Sequence, residues 1–212
     1  MIAAKRGRGI FFSNAKRLCL WNKLKVIGRK VGKKRIMKVI AIAAVTAGGK
    51  TTIVNEIKQQ TKNVEALYFD DYSFEGAVDD FYAWVTQGAD YNVWNLSPLI
   101  KDICKIRECS KCDYLLLDYP FAYCHNELSK YIDCAIFVDT PLDIAMARKV
   151  LRDMKDSSAE EIREYMEIYL KYARVAYIQM LKDVLPSSDY VIDGTKELEE
   201  KIKEIKKIIL SI

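Results

Sequence analysis

The sequence predicts an α/β protein: a three-layer αβα arrangement in which a mostly parallel five-stranded sheet lies between helices, with a small helical lid. Two observations carry this. Short, largely apolar runs alternate with stretches of helical periodicity, the pattern of strands buried on both faces and joined by crossover helices. The first run, Val39-Ile40-Ala41-Ile42-Ala43-Ala44, leads directly through a loop of small residues, Val45-Thr46-Ala47-Gly48-Gly49-Lys50-Thr51-Thr52, into a helical pattern marked by Ile53, Val54 and Ile57.

The remaining elements follow in order. Residues 64–69 read as a second strand ending in Asp70-Asp71-Tyr72, and a short helix is expected at about 78–86. Ser97-Pro98 opens another helix, with Leu99, Ile100, Ile103 and Ile106 at helical spacing. Residues 113–118 and 133–139 are apolar strands that each end in a carboxylate, Asp118 and Asp139. Pro141 starts a helix to about Asp153, and Ser157 or Ser158 caps one long helix to about Val184, with Glu160 and Glu161 favouring its dipole. Residues 190–194 form the last strand, and an amphipathic helix at 197–209 presents Leu198, Ile202, Ile205 and Ile209 on one face.

Composition bounds the function classes. Of 34 basic residues, 13 fall within positions 1–38, which hold no acidic residue, so residues 39–212 carry 21 basic against 29 acidic side chains, a net charge of about −8. The net +5 of the whole chain therefore gives no reason to expect a nucleic-acid partner. Residues 1–36 interleave lysine and arginine with aromatic and aliphatic residues, which suits a surface-binding tail or a transit segment. We expect instead a disordered extension or a start-site artefact, with Met37 opening the domain at 37–212. No apolar stretch approaches a membrane span, and no membrane partner is expected. Six cysteines are too few for a disulfide scaffold and point to a reducing cytoplasm. Cys109 and Cys112 have metal or redox spacing, but no second Cys or His pair stands at zinc-finger distance.

The loop at 45–52 carries the first chemistry. Strand, glycine-containing loop ending in Gly-Lys-Thr, then helix is the setting of a phosphate-binding P-loop. Backbone N–H groups of Thr46 to Thr52 would surround a nucleotide phosphate, Lys50 would reach the β- and γ-phosphates, and the Thr51 hydroxyl would hold Mg²⁺. The pattern G-x-x-x-x-G-K-S/T departs at its first glycine, which is Ala44. This is tolerable if Ala44 keeps a negative φ. In a parallel α/β sheet the carboxyl ends of the strands share one edge, so the loop, Asp70, Asp118 and the residues after Asp139 can form one site. Asp70 can accept the proton of an acceptor hydroxyl, although Asp at such a position also suits a solvated turn. Arg148 and Arg152, one helical turn apart with Lys149 beside them, read as a cationic lid over the transferring phosphoryl group, around residues 148–160. A base-reading N-K-x-D segment is lacking, and Asp118 is not followed by Glu, which turns the reading away from a GTPase switch or a motor ATPase.

From Met37 almost to the C-terminus the chain resembles the uridine kinase and nicotinamide riboside kinase group of P-loop nucleoside kinases, near phosphoribulokinase. The resemblance rests on Gly48-Gly49-Lys50-Thr51-Thr52, Phe69-Asp70-Asp71-Tyr72, Leu117-Asp118, Val138-Asp139-Thr140-Pro141, Ala147 to Asp153, Tyr169-Leu170-Lys171-Tyr172 and Asp193-Gly194-Thr195-Lys196. It implies a P-loop NTPase fold and an ATP- and Mg²⁺-dependent kinase of a nucleoside-like small molecule. Asp70 would be the general base, Thr51 and Asp118 would flank the metal, Arg148 and Arg152 would be the lid cations, and Gly194 and Lys196 would lie at the nucleotide. Lys149 replaces a common arginine and Asp118 a common glutamate. The family's H-P-D-A-F-D-type acceptor segment has no clear counterpart. Asp90-Tyr91-Asn92-Val93-Trp94 is the nearest candidate, with Tyr72, Tyr91 and Trp94 able to stack a base. His125 is read as structural or at a pocket rim. A kinase of phosphosugars or nucleoside monophosphates, or a nucleotide-binding regulator without turnover, are the alternatives. The donor, ATP or GTP, and the oligomeric state are left open.

Overall fold

The computed structural model describes residues 37–109 and 111–212; the readings of residues 1–36 lie outside the described residues, as does the side chain of Cys109. Five strands, β1 (Lys38–Ala43), β2 (Val64–Tyr68), β3 (Tyr114–Asp118), β4 (Cys134–Asp139) and β5 (Tyr190–Asp193), form one sheet in the order β2-β3-β1-β4-β5. Every pairing among them is parallel. The chain leaves β1, passes over the place β3 later fills, and then crosses to the other side of β1 to form β4. The reversal beside β1 opens a crevice at its C-terminal end, where the small-residue loop stands.

The alternation of apolar residues along the strands divides the core in two. On one face Ile40, Ile42, Leu116, Ile136 and Val138 pack under α1 (Lys50–Gln60) through Ile53, Val54 and Ile57, and under α8 (Leu198–Ser211) through Ile202, Ile205 and Ile209. On the other, Val39, Ala41, Leu115, Leu117 and Phe137 meet α2 (Phe81–Thr86), α3 (Ser97–Cys109) and α7 (Arg174–Ser187). Each such buried aliphatic side chain contributes about 1.5–3 kcal/mol. Asp133 fixes the start of β1, accepting the Val39 amide at 2.8 Å and lying 3.3 Å from the Lys38 ammonium.

Two elements differ from expectation. The short helix expected at 78–86 begins at Phe81, because the Asp80 carboxylate accepts the Ala83 amide at 2.9 Å and caps it there. The long helix expected to 184 is three pieces, α6 (Ala159–Ile168), a π-helical turn at Tyr169–Ala173, and α7. Its start is Ser158, in a reciprocal capping box with Glu161: the Ser158 hydroxyl accepts the Glu161 amide and the Glu161 carboxylate accepts the Ser158 amide. Cys112 is buried with its thiol 3.2 Å from the Met37 sulfur. No helix among the described residues is long and apolar enough to cross a membrane.

Candidate active site

The loop after β1 turns sharply, the Gly48 amide donating to the Val45 carbonyl at 3.0 Å. Gly49, at φ +101°, is the N-cap of α1 and provides no side-chain cap, and the first turn carries no acidic residue. The leading N–H groups of α1 are thus free of internal acceptors and bear the positive end of its dipole. Ala44 is not among the described non-glycine residues with positive φ; that conformation falls on Ala47, at φ +58°. Ala44 is fully buried, and a Cβ on Gly48 would sit 2.7 Å from the Ala44 methyl. The alanine fits because Gly48, four residues on, has no side chain.

Lys50 and Thr51 lead α1 into a cavity of about 740 Å³. The Thr51 hydroxyl donates to the Asp118 carboxylate at 2.5 Å. Asp118, 5% exposed, ends β3 in register with Ile42 of β1 and Tyr68 of β2, so it lies just under the loop. Burial holds the Lys50 ammonium below its usual pKa, against the pull of Asp118 and Asp70. Burial likewise raises the Asp118 carboxyl, opposed by Lys50 and the Thr51 hydrogen bond and reinforced by the like charges of Asp70 and Asp71. A hydroxyl and a carboxylate converging at a site crowded with negative charge are hard oxygen donors suited to Mg²⁺. Among the described residues no group of three or more His, Cys, Asp or Glu could hold a metal by itself.

Asp70 sits on the 3-10 turn Phe69–Asp71 directly after β2, exposed, on the wall of the same cavity. Opposite it, α5 (Leu142–Asp153) sends Arg148 and Arg152 into the cavity, and the field of Asp70 acts on Arg152. Lys149 does not join them. Its ammonium bonds the Asp153 carboxylate at 2.7 Å and lies 5.8 Å from the centre of the Tyr165 ring, holding α5 to α6. Arg152 also bonds Asp153 through Nε, at 2.6 Å.

The cavity continues from Asp70 into an aromatic chamber walled by Phe69, Phe81, Trp84, Trp94 and Phe121, with Tyr177 of α7 across it. Of the substrate-binding residues expected from sequence, Asp70 and Trp94 line the cavity, and Tyr72, Asp90 and Tyr91 do not. Tyr72 donates to Asp102 at 3.1 Å and stacks on Phe74, and burial with that bond pushes its pKa up to about 12. Asp90 caps the turn Tyr91–Val93, accepting the Asn92 amide at 2.9 Å, which holds its carboxyl below the usual range. Tyr91 is buried with its hydroxyl on Asp183, 3.3 Å away. Those three are scaffold behind the chamber. Thr195 and Lys196 also line the cavity, whereas Gly48 and Gly194 are not among its lining residues. A Cβ on Gly194 would overlap the Thr140 hydroxyl.

His125 is buried and caps α4 (Asn126–Ser129): Nδ1 accepts the Leu128 amide at 3.2 Å, which leaves the proton on Nε2 to donate to the Trp94 carbonyl at 3.0 Å. It positions a cavity wall. Sequence reasoning missed Trp84 and Phe121, whose roles depend on tertiary packing. It also missed Lys201, for which a signal existed: position 201 shares the helical face of Leu198 and Ile205, where a lysine is out of place.

Fold and loop together define a P-loop NTPase architecture. The family described as Phosphoribulokinase / Uridine kinase matches residues 106–198. A uridine kinase of Borrelia duttonii (strain Ly) is 22% identical over 180 residues, covering 74% of this chain and 86% of that protein. The uridine/cytidine kinase UKL1, chloroplastic, of Arabidopsis thaliana is 24% identical over 178 residues, covering 72% of this chain and 36% of that one. The crystal structure of APE1195 shares the fold with a TM-score of 0.51 at 15% identity, covering 84% of this chain and 97% of its own. The chain thus has the P-loop NTPase fold and, over residues 106–198, is similar to the phosphoribulokinase and uridine kinase family.

Proposed function

We propose that the protein is a small-molecule kinase that moves the γ-phosphoryl group of a nucleoside triphosphate to a hydroxyl of a nucleoside-like acceptor. One observation supports this above the rest: a single cavity holds the phosphate loop with Lys50, the lid cations Arg148 and Arg152, and the Asp70 carboxylate at the mouth of an aromatic chamber. The similarity to uridine kinases supports the same class of acceptor.

In this reading the first turn of α1 and Lys50 hold the β- and γ-phosphates. Thr51 and Asp118 would hold Mg²⁺, which would supply positive charge against the phosphates. The acceptor's base stacks among Trp84, Trp94 and Phe121, which brings its hydroxyl to Asp70. Asp70 takes the hydroxyl proton as the oxygen attacks the γ-phosphorus in line, and the bond to the β–γ bridging oxygen breaks to release a nucleoside diphosphate. Arg148 and Arg152 neutralise the equatorial oxygens and exclude water, so catalysis is mostly positioning and charge neutralisation.

The test is a screen for nucleoside diphosphate release from ATP and from GTP, with Mg²⁺, over nucleosides, nicotinamide riboside and phosphosugars. Release that depends on a nucleoside or riboside supports the reading. Silence across the panel overturns it, and turnover confined to phosphosugars moves the acceptor class.

A further inference from the structure

Lys201 is the charged group that the proposed chemistry leaves unused. It lies on the inner face of α8, is 6% exposed, and forms part of the cavity wall. Its one hydrogen bond among the described residues is donated to the Gly194 carbonyl, 3.1 Å away. An ammonium carries three N–H donors, so two remain for whatever fills the cavity. Leaving a buried donor without an acceptor is costly, and an ammonium more so. Burial and the nearby charge of Arg148 disfavour the charged form, against the pull of Glu197 and Asp193.

The sheet order says which part of a ligand reaches it. β2 and β5 lie two strands from β1 on opposite sides. Asp70 follows β2, while Thr195, Glu197, Leu198 and Lys201 follow β5 and line the cavity there. With a triphosphate on the central loop and its γ-phosphate toward Asp70 and Arg152, the base of the donor falls on the β5 side. Glu197 is the N-cap of α8 and Lys201 stands one turn on, so a carboxylate and an ammonium share that wall.

We infer that the donor-base end of the cavity selects a 6-oxopurine, guanine or hypoxanthine, over adenine. The inference rests on the kinase reading above for the direction in which the donor lies. A 6-oxopurine presents O6 and N7 as adjacent acceptors, which a lysine ammonium can engage together, and an N1–H that a carboxylate can accept. Adenine reverses the edge: its N6 amine would face the ammonium and its N1 lone pair the carboxylate. A site built to pair one edge rejects the other because its own buried groups are left unpaired.

The test is displacement of a ribose-labelled fluorescent nucleoside diphosphate by GTP, ITP and ATP, in the full chain with Mg²⁺. GTP and ITP are expected to bind at least about tenfold more tightly than ATP. In Lys201→Met that ratio is expected to fall to within about twofold of unity. Because the unmutated protein gives the ratio without any variant, misfolding of Lys201→Met leaves the inference testable, and Lys201→Gln supplies a second, smaller change. Equal binding of all three, or a preference for ATP, overturns the base selection and leaves the phosphate-loop reading standing. A ratio that survives both substitutions overturns the assignment to Lys201. Failure of every nucleotide to bind overturns the kinase reading and the inference with it.

Discussion

The Thr140 hydroxyl donates to the Gly48 carbonyl at 2.9 Å, which ties the residue after β4 to the phosphate loop after β1. Thr140 is buried, and Gly194 packs against it with its amide on the Asp139 carbonyl at 2.8 Å. The ends of β1, β4 and β5 are thereby linked at one hydroxyl. Thr140→Val keeps the shape and removes the donor, leaving the Gly48 carbonyl unsatisfied. The expected loss is about 1–3 kcal/mol in urea denaturation, with weaker nucleotide binding. Thr140→Ser should retain most of both.

Asp70 touches no structural partner among the described hydrogen bonds, so its removal tests chemistry with little folding effect. Asp70→Asn is expected to lower kcat by about 10²–10⁴-fold while nucleotide affinity measured by calorimetry stays near that of the unmutated protein. Equal losses in affinity and turnover would place Asp70 in phosphate or metal binding instead.

The Asp153 carboxyl is held well below the usual carboxylate range by its hydrogen bonds from Arg152 and Lys149. A group depressed in the folded state contributes stability above its unfolded pKa of about 3.9, and that contribution disappears as the pH falls below it. Thermal unfolding followed from pH 6 to pH 2 should therefore show a steeper acid-side loss for the unmutated protein than for Asp153→Asn. The cluster is exposed, so the difference at neutral pH is expected to stay under about 1 kcal/mol.

His125→Ala removes both the cap of α4 and the donor to the Trp94 carbonyl. A destabilisation of about 1–3 kcal/mol is expected. If Trp94 walls the acceptor chamber, KM for the acceptor should rise several-fold more than KM for the nucleotide, measured in the same coupled assay.

The half of the cavity nearest the phosphate loop was legible because its residues act through backbone geometry that local sequence encodes. Gly49 caps α1 where a glycine was needed, Asp118 ends an apolar strand, and Asp70 lies on the turn directly after another. The aromatic chamber was less so. Tyr91 looked like a stacking residue, but its hydroxyl meets Asp183, 92 positions on, a partner no local pattern reveals. Phe121 packs on the rings of Phe69, Tyr91, Trp94 and Tyr119, which four separate segments bring together. Lys149 was grouped with Arg148 and Arg152 because helical spacing cannot show that Tyr165, on the next helix, turns its ammonium aside. The one error of continuity, the π-helical turn, arises because both helix types share the same apolar periodicity over a few residues.

That turn at Tyr169–Ala173 makes the phase between α6 and the core a matter of residue count. α6 buries no residue, while α7 aligns Ala176, Met180 and Val184 against the sheet. Losing one residue from the turn would restore a regular helix and rotate α6 by about 100° relative to α7, carrying Tyr165 away from Lys149. Changes of composition can accumulate along this stretch, but a change of length resets the phase between the two ends, so homologous chains should conserve the number of residues here more strictly than their kinds.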